Sequence, residues 1–233
     1  MSLHKSLAMA GGTATAVGGG VLVSKSSLFQ DTPSPTTSQQ KETFRQKYSS
    51  AILGSEDALW ETKFSGLSGN AQPTHEKLKE AKTKHTSHSD EAKTLHKEGC
   101  QAIYDSEWEG SSYLNDFKSY CSKTVADAMK DVGTWIDQEG SVDGKWNTKL
   151  TNLSKHDENQ DGALNDTLKN LKTSLTPTPS AGTSSNWDAN KRTTLNNWCK
   201  EVKVSVFMGD ADTQFKHAKL YCVEEKAASL PSR

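Results

Sequence analysis

The sequence predicts an all-α protein: two tandem, duplicated small helical units after an N-terminal apolar helix and a flexible linker. Three observations carry that prediction. A Trp-x-Thr-Lys segment and its surroundings occur twice in the same order, apolar residues recur at helical spacing, and four cysteines fall into two similarly spaced pairs. The chain has 233 residues, of which 33% are hydrophobic, with 28 basic against 29 acidic side chains. Counting glycine, the apolar share is roughly 40%, below the roughly 45–50% usual for soluble domains. A net charge of −1 removes the general electrostatic reason to expect a nucleic-acid or other polyanionic partner.

Residues 1–27 form the first segment. Ser6 to Ser24 carries no charge and is bracketed by Lys5 and Lys25. Those nineteen residues reach roughly 28 Å as a helix, close to the hydrocarbon thickness of a bilayer. Leu7, Val17, Val21, Leu22 and Val23 supply the membrane-facing bulk, while five glycines weaken both hydrophobicity and helix propensity. Three readings compete: an uncleaved anchor, a cleaved signal peptide, and a flexible Gly/Ala-rich tail. Ala14-Thr15-Ala16 has the form of a cleavage site but lies inside the apolar run, so the anchor fits better. Lys5 against Lys25 sets almost no orientation. Residues 28–44, with the Pro-containing stretch DTPSPTTSQQK, read as a disordered, membrane-proximal linker.

The body then occurs twice, as unit one (45–132) and unit two (133–230). Trp60, Thr62, Lys63, Leu67 and Ser68 return as Trp146, Thr148, Lys149, Leu153 and Ser154, all at an offset of 86. Leu78-Lys79 and Lys82-Thr83 return as Leu168-Lys169 and Lys172-Thr173, and Tyr120-Cys121 returns as Tyr221-Cys222. The offset grows where unit two carries the extra loop SLTPTPSAGTSSN. Helices are expected over Thr74–Lys84, which follows Pro73, and over Ser122–Trp135, where Val125, Met129 and Val132 share a face. Leu164, Leu168, Leu171 and Leu175 form a further stripe, while Val202, Val204 and Val206 alternate and permit a short strand.

The cysteines lie 21 and 23 residues apart, with a glycine turn near the middle of each interval, at Gly110 and at Gly209. Helices folding back there would bring Cys100 to Cys121 and Cys199 to Cys222. Each such disulfide is worth roughly 3 kcal/mol in the chain-entropy model. Disulfides would place the body outside the cytosol and favour outward display. Four reduced, buried cysteines are the alternative.

Candidate chemistry is sparse. Asp157, Asn159, Asp161 and Gly162 match the first half of an EF-hand calcium loop, but Leu168 stands where a bidentate Glu belongs. A polar loop leading into a helix is the expected role, with Leu168 in the core. His96 and Cys100, four apart, share a helix face and could seed a zinc site. His85 and His88 sit in a polar loop and a disulfide would consume Cys100, so solvated histidines are expected and no resident metal or cofactor. A Cys–His nucleophile would need one activated thiol rather than repeated pairs. With no Gly-rich phosphate loop, serine elbow or HExxH, no catalytic residues are expected. Trp60, Trp146, Trp187 and Trp198 read as core anchors.

The Lys-bearing start, the segment AMAGGTATAVGGGVLV, the W-x-T-K helix and the Trp198-Cys199, Tyr120-Cys121 and Tyr221-Cys222 dipeptides resemble the expanded paralogous proteins of haemotropic mycoplasmas. The resemblance implies a single-pass protein of the cell membrane, its body displayed on a wall-less bacterium and serving host interaction or antigenic diversity. It carries over no functional residues. The expected partners are therefore the membrane, through the N-terminus, and a host or cell-surface protein. A secreted soluble binding module and an extracellular thiol- or metal-dependent enzyme are the alternatives.

Overall fold

The computed structural model describes residues 41–140, 144–175 and 187–225, all within one compact unit, Gln40–Arg233. The expected anchor, residues 1–27 with Leu7, Val17, Val21, Leu22 and Val23, lies outside the described residues, as does most of the 28–44 linker. Among the described residues no helix is long and apolar enough to cross a membrane.

The described chain is mostly helical, as expected. Helices α1 (Phe44–Lys47), α2 (Leu59–Ser65), α3 (Glu76–Lys84), α4 (Ser89–Asp105) and α5 (Leu114–Asp116) come first, and α5 runs into a π-helical turn over Phe117–Cys121. Next come α6 (Val125–Met129), strand β1 (Gly133–Trp135), α7 (Lys145–Ser154), α8 (Glu158–Asp161) and α9 (Asp166–Ser174). Helices α10 (Ala189–Lys203) and α11 (Thr213–Tyr221) and strand β2 (Val223–Glu225) complete it.

Short polar residues set many of the helix starts by accepting hydrogen bonds from otherwise unpaired backbone N–H groups. Thr43 with Gln46 and Thr124 with Asp127 form capping boxes, and Asn165, Asp188 and Asp212 cap α9, α10 and α11. Helix α3 has no local cap. The buried carboxylate of Asp116 serves instead, accepting from the N–H groups of Thr74 and His75 at 2.7–3.0 Å.

Two cores hold these elements. The first gathers Phe44, Leu53, Trp60, Phe64, Leu67, Leu78, Ile103, Tyr104 and Phe117 around Cys100 and Cys121. The second gathers Trp146, Leu150, Leu153, Leu168, Leu171, Leu195, Val202 and Phe215 around Cys199 and Cys222. Several local bonds recur in both. The Trp60 indole N–H donates to Gly54 O at 2.6 Å and that of Trp146 to Gln138 O at 2.8 Å. Ser65 and Thr151 return their hydroxyls to carbonyls one turn back, and Ser68 and Ser154 close the next turn. The ammonium groups of Lys82 and Lys172 each reach a loop carbonyl, of Ala71 and His156.

Two boundaries differ from expectation. The linker was expected to run through residue 44, but Thr43 bridges to Glu107 and Phe44 is 0% exposed, because its ring stacks into Tyr48 and Phe117. The helix expected over Ser122–Trp135 stops at Met129. Gly133, Thr134 and Trp135 pair antiparallel with Glu225, Glu224 and Val223, a partner that local periodicity cannot reveal. Across position 132/133 the two cores interleave in sequence: Val125 and Met129 pack in the second, whereas Val206 packs in the first.

Ser122 to Thr124 is an extended crossing between the cores. Ser122 bridges to Ile52 and Thr124 to Val206, while Lys123 N–H donates to Ala51 O and Phe207 N–H to Lys123 O. The alternating valines make no strand, because Val202 lies within α10 and Val204, just after its end, faces solvent.

Candidate functional site

The cysteines pair as the turn positions suggested. Cys100 on α4 is bonded to Cys121, with a Cα–Cα distance of 5.2 Å, and Cys199 on α10 to Cys222, at 5.5 Å. The glycines midway have positive φ, +69° at Gly110 and +105° at Gly209, a conformation open to glycine at little cost. All four sulfurs are buried.

His88 is exposed, but His96, His156 and His217 depart from the expectation of solvated rings. His96, one turn before Cys100, is buried, with its Nε2 2.8 Å from Tyr120 O and its ring against Trp60 and Phe64. Burial pushes its pKa below the ordinary value, outweighing the pull of the Tyr120 carbonyl, so the ring is neutral. The carbonyl can only accept, which assigns the proton to Nε2. Ligating atoms of His96, Cys100 and Cys121 lie within 4.8 Å of one another. One turn before Cys199 stands Leu195, also fully buried.

The second core buries a different pair. His156 places Nδ1 2.6 Å from Tyr221 Oη and Nε2 2.8 Å from Gly162 O. The carbonyl fixes the Nε2–H tautomer, leaving Nδ1 to accept from the tyrosine. Nε2 of His217 lies 3.1 Å from Asp161 O, and the two imidazoles pack edge to face at 5.2 Å. Desolvation lowers the pKa of His217 and raises that of Tyr221. The sequence held little sign of this: His156 stands one residue before the calcium-like motif and His217 has no histidine in register.

That motif adopts a helical turn, α8. Asp157 caps it, its Oδ1 accepting from Asn159 N–H and its Oδ2 from the Gln160 amide, while Asp161 accepts from Asp157 N–H. The carboxylates are thus engaged with the loop's own donors. Leu168 is buried in the second core as expected, and Trp60, Trp146 and Trp198 are core residues, with Trp187 half-buried beside the second core.

Sequence reasoning also missed a buried ion pair. Lys63 of the Trp-x-Thr-Lys segment crosses to Asp127 of α6 at 2.8 Å, the two side chains being 8% and 9% exposed. Desolvation alone would raise the Asp127 carboxyl. The Lys63 ammonium and the Thr124 donors outweigh it and hold the carboxyl below its ordinary value. Surface clefts are shallow and open. One of them, about 560 Å³, is lined by residues that include Lys155, Lys169, Lys172, Glu158 and Leu164. No family model, curated protein or solved structure matches this chain.

Proposed function

We propose that this protein is membrane-anchored and surface-displayed, and that it acts by binding or antigenic diversity rather than by catalysis. Its body is read as two duplicated, disulfide-closed helical units. The observation that carries the reading is the pair of buried disulfides, Cys100–Cys121 and Cys199–Cys222, which persist in oxidising compartments outside the cytosol. The duplication is supported by the matching indole, hydroxyl and ammonium bonds around Trp60 and Trp146, and by the equal register of Leu78 with Leu168. A non-catalytic role is supported by the thiols, which are all paired, and by His96 and His156, whose Nε2 atoms are held by carbonyls. The apolar run from Leu7 to Val23 supplies the anchor, and a host or cell-surface protein is the partner class.

Proteolysis of intact cells tests this reading. Shaving of the body, with the N-terminal segment left in the detergent-soluble membrane fraction, is the expected result. A body protected until the cells are lysed would overturn it. Recovery of the chain from the medium without its first residues would favour the secreted binding module.

A further inference from the structure

The first core contains a donor set that the second does not. A ring nitrogen of His96 and the sulfurs of Cys100 and Cys121 lie within 4.8 Å of one another. The Tyr120 carbonyl oxygen is 2.8 Å from His96 Nε2 and 3.6 Å from Cys100 Sγ. All three side chains are buried against Trp60, Phe64 and Tyr104. In the disulfide form each sulfur is bonded to the other and neither is a thiolate. Once that bond is opened, two thiols and a neutral imidazole surround one point. Thiolate and imidazole together are the donors that select zinc-class ions.

We propose that reduction of the Cys100–Cys121 disulfide converts this site into a Cys₂His site for one zinc-class divalent cation. This goes beyond the surface-binding reading and does not depend on it. The chemistry balances with a phosphine reductant: the disulfide, one phosphine and one water yield two thiols and one phosphine oxide. The metal then displaces both thiol protons to buffer and takes the ring nitrogen that carries no proton, the single ring proton residing on the other nitrogen, so that two metal–sulfur bonds and one metal–nitrogen bond form. Zinc–sulfur bonds of about 2.3 Å and zinc–nitrogen bonds of about 2.0 Å place tetrahedral donors roughly 3.5–3.8 Å apart, so the sulfurs must separate from bonding distance while the imidazole nitrogen draws in by at most about 1 Å. Opening the disulfide frees the sulfurs to make that adjustment.

The second core is the built-in control. Cys199 and Cys222 are bonded in the same way, and Cys199 Sγ lies 3.8 Å from Tyr221 O, but the side chain one turn earlier is Leu195. It can offer two thiolates and no imidazole. A purely structural role for His96, holding the Tyr120 carbonyl, is separable from ligation because a glutamine there keeps an N–H donor and is a poor zinc ligand.

The test uses the full chain, reduced with excess phosphine without oxygen at neutral pH and titrated with Co²⁺ as an absorbing probe, then with Zn²⁺. The expected result is one ion per chain, thiolate-to-cobalt charge-transfer absorption and release of about two protons per ion. His96→Gln and His96→Leu are expected to weaken binding roughly 100-fold or more, beyond the 10–100-fold typical of losing a supporting residue. The Cys199→Ser/Cys222→Ser variant should bind as the parent does, and the oxidised chain should not bind. No cobalt binding, two equivalent ions per chain, or His96 variants binding as tightly as the parent would each overturn the proposal. The last is also what an unfolded reduced chain chelating through cysteines alone would give, so loss of fold does not leave the question open.

Discussion

The two cores share a sulfur link, an indole-to-carbonyl bond and a lysine that clips a loop, yet they bury different polar side chains. The first holds His96 against Tyr120 O and receives Lys63, whose charge meets Asp127 on α6. The second holds His156 between Gly162 O and Tyr221. The shared features are those that close a small apolar centre. The differing ones lie where a buried polar group needs a partner and more than one solution exists. Lys63 makes the contrast concrete. Lys149, at the same place in the second Trp-x-Thr-Lys segment, donates to Leu220 O.

Trp146→Ala should have the largest effect. The side chain is fully buried and its removal should cost about 4 kcal/mol by urea unfolding, somewhat more than Trp60→Ala, whose ring is slightly exposed. An equal or reversed order would break the view that the second core is the tighter around its tryptophan. Lys63→Ala should cost about 3 kcal/mol, because it leaves the Asp127 carboxylate buried without its cation. Lys149→Ala should cost clearly less, since the ammonium that donates to Leu220 O is only half-buried. Equal losses would mean that the ion pair across the cores contributes nothing special.

Replacing either cysteine pair by serine should cost about 3 kcal/mol, and the two costs should agree closely because the closed loops span 21 and 23 residues. A wide gap in thermal unfolding would show that one link is mainly a native-state contact. Gly99→Ala should cost about 1–2 kcal/mol despite the better helix propensity of alanine, because its Cβ would sit 2.9 Å from Leu78 Cδ2 where α3 packs on α4. The second core has Trp198 in that register and so cannot repeat this close approach.

The smallest effect is a pH dependence. Burial lowers the pKa of His96 and of His217 from 6.5, so the unfolded chain takes up protons before the folded one does. Stability should be full above about pH 6.5 and fall as the pH drops toward the folded values. His96→Leu should flatten that decline and leave the contribution of His217. An unchanged profile would place the pH sensitivity in His217 and in His75, whose pKa burial also lowers.

Legibility in the sequence followed the range of the interactions. The α3 helix, the Leu164–Leu175 stripe and the cysteine pairing rest on spacing within about twenty residues, which periodicity and turn glycines expose. Long-range partners left no such trace. Gly133–Trp135 follows helical-looking spacing but pairs with a strand ninety residues away, and Phe44 looks like the end of a polar linker until it meets Phe117. The candidate sites failed for the same reason. Nothing near His96 announces the Tyr120 carbonyl, and nothing in DENQDG announces that its carboxylates will cap their own turn.

The central claim is that two separate disulfides close two separate helical centres. Peptide mapping of the unreduced native chain by mass spectrometry tests it most directly. The expected result is an intact mass lower by four hydrogens than the reduced chain, with linked peptides joining only Cys100 to Cys121 and Cys199 to Cys222. Four free thiols, or a peptide linking a cysteine of the first core to one of the second, would contradict it.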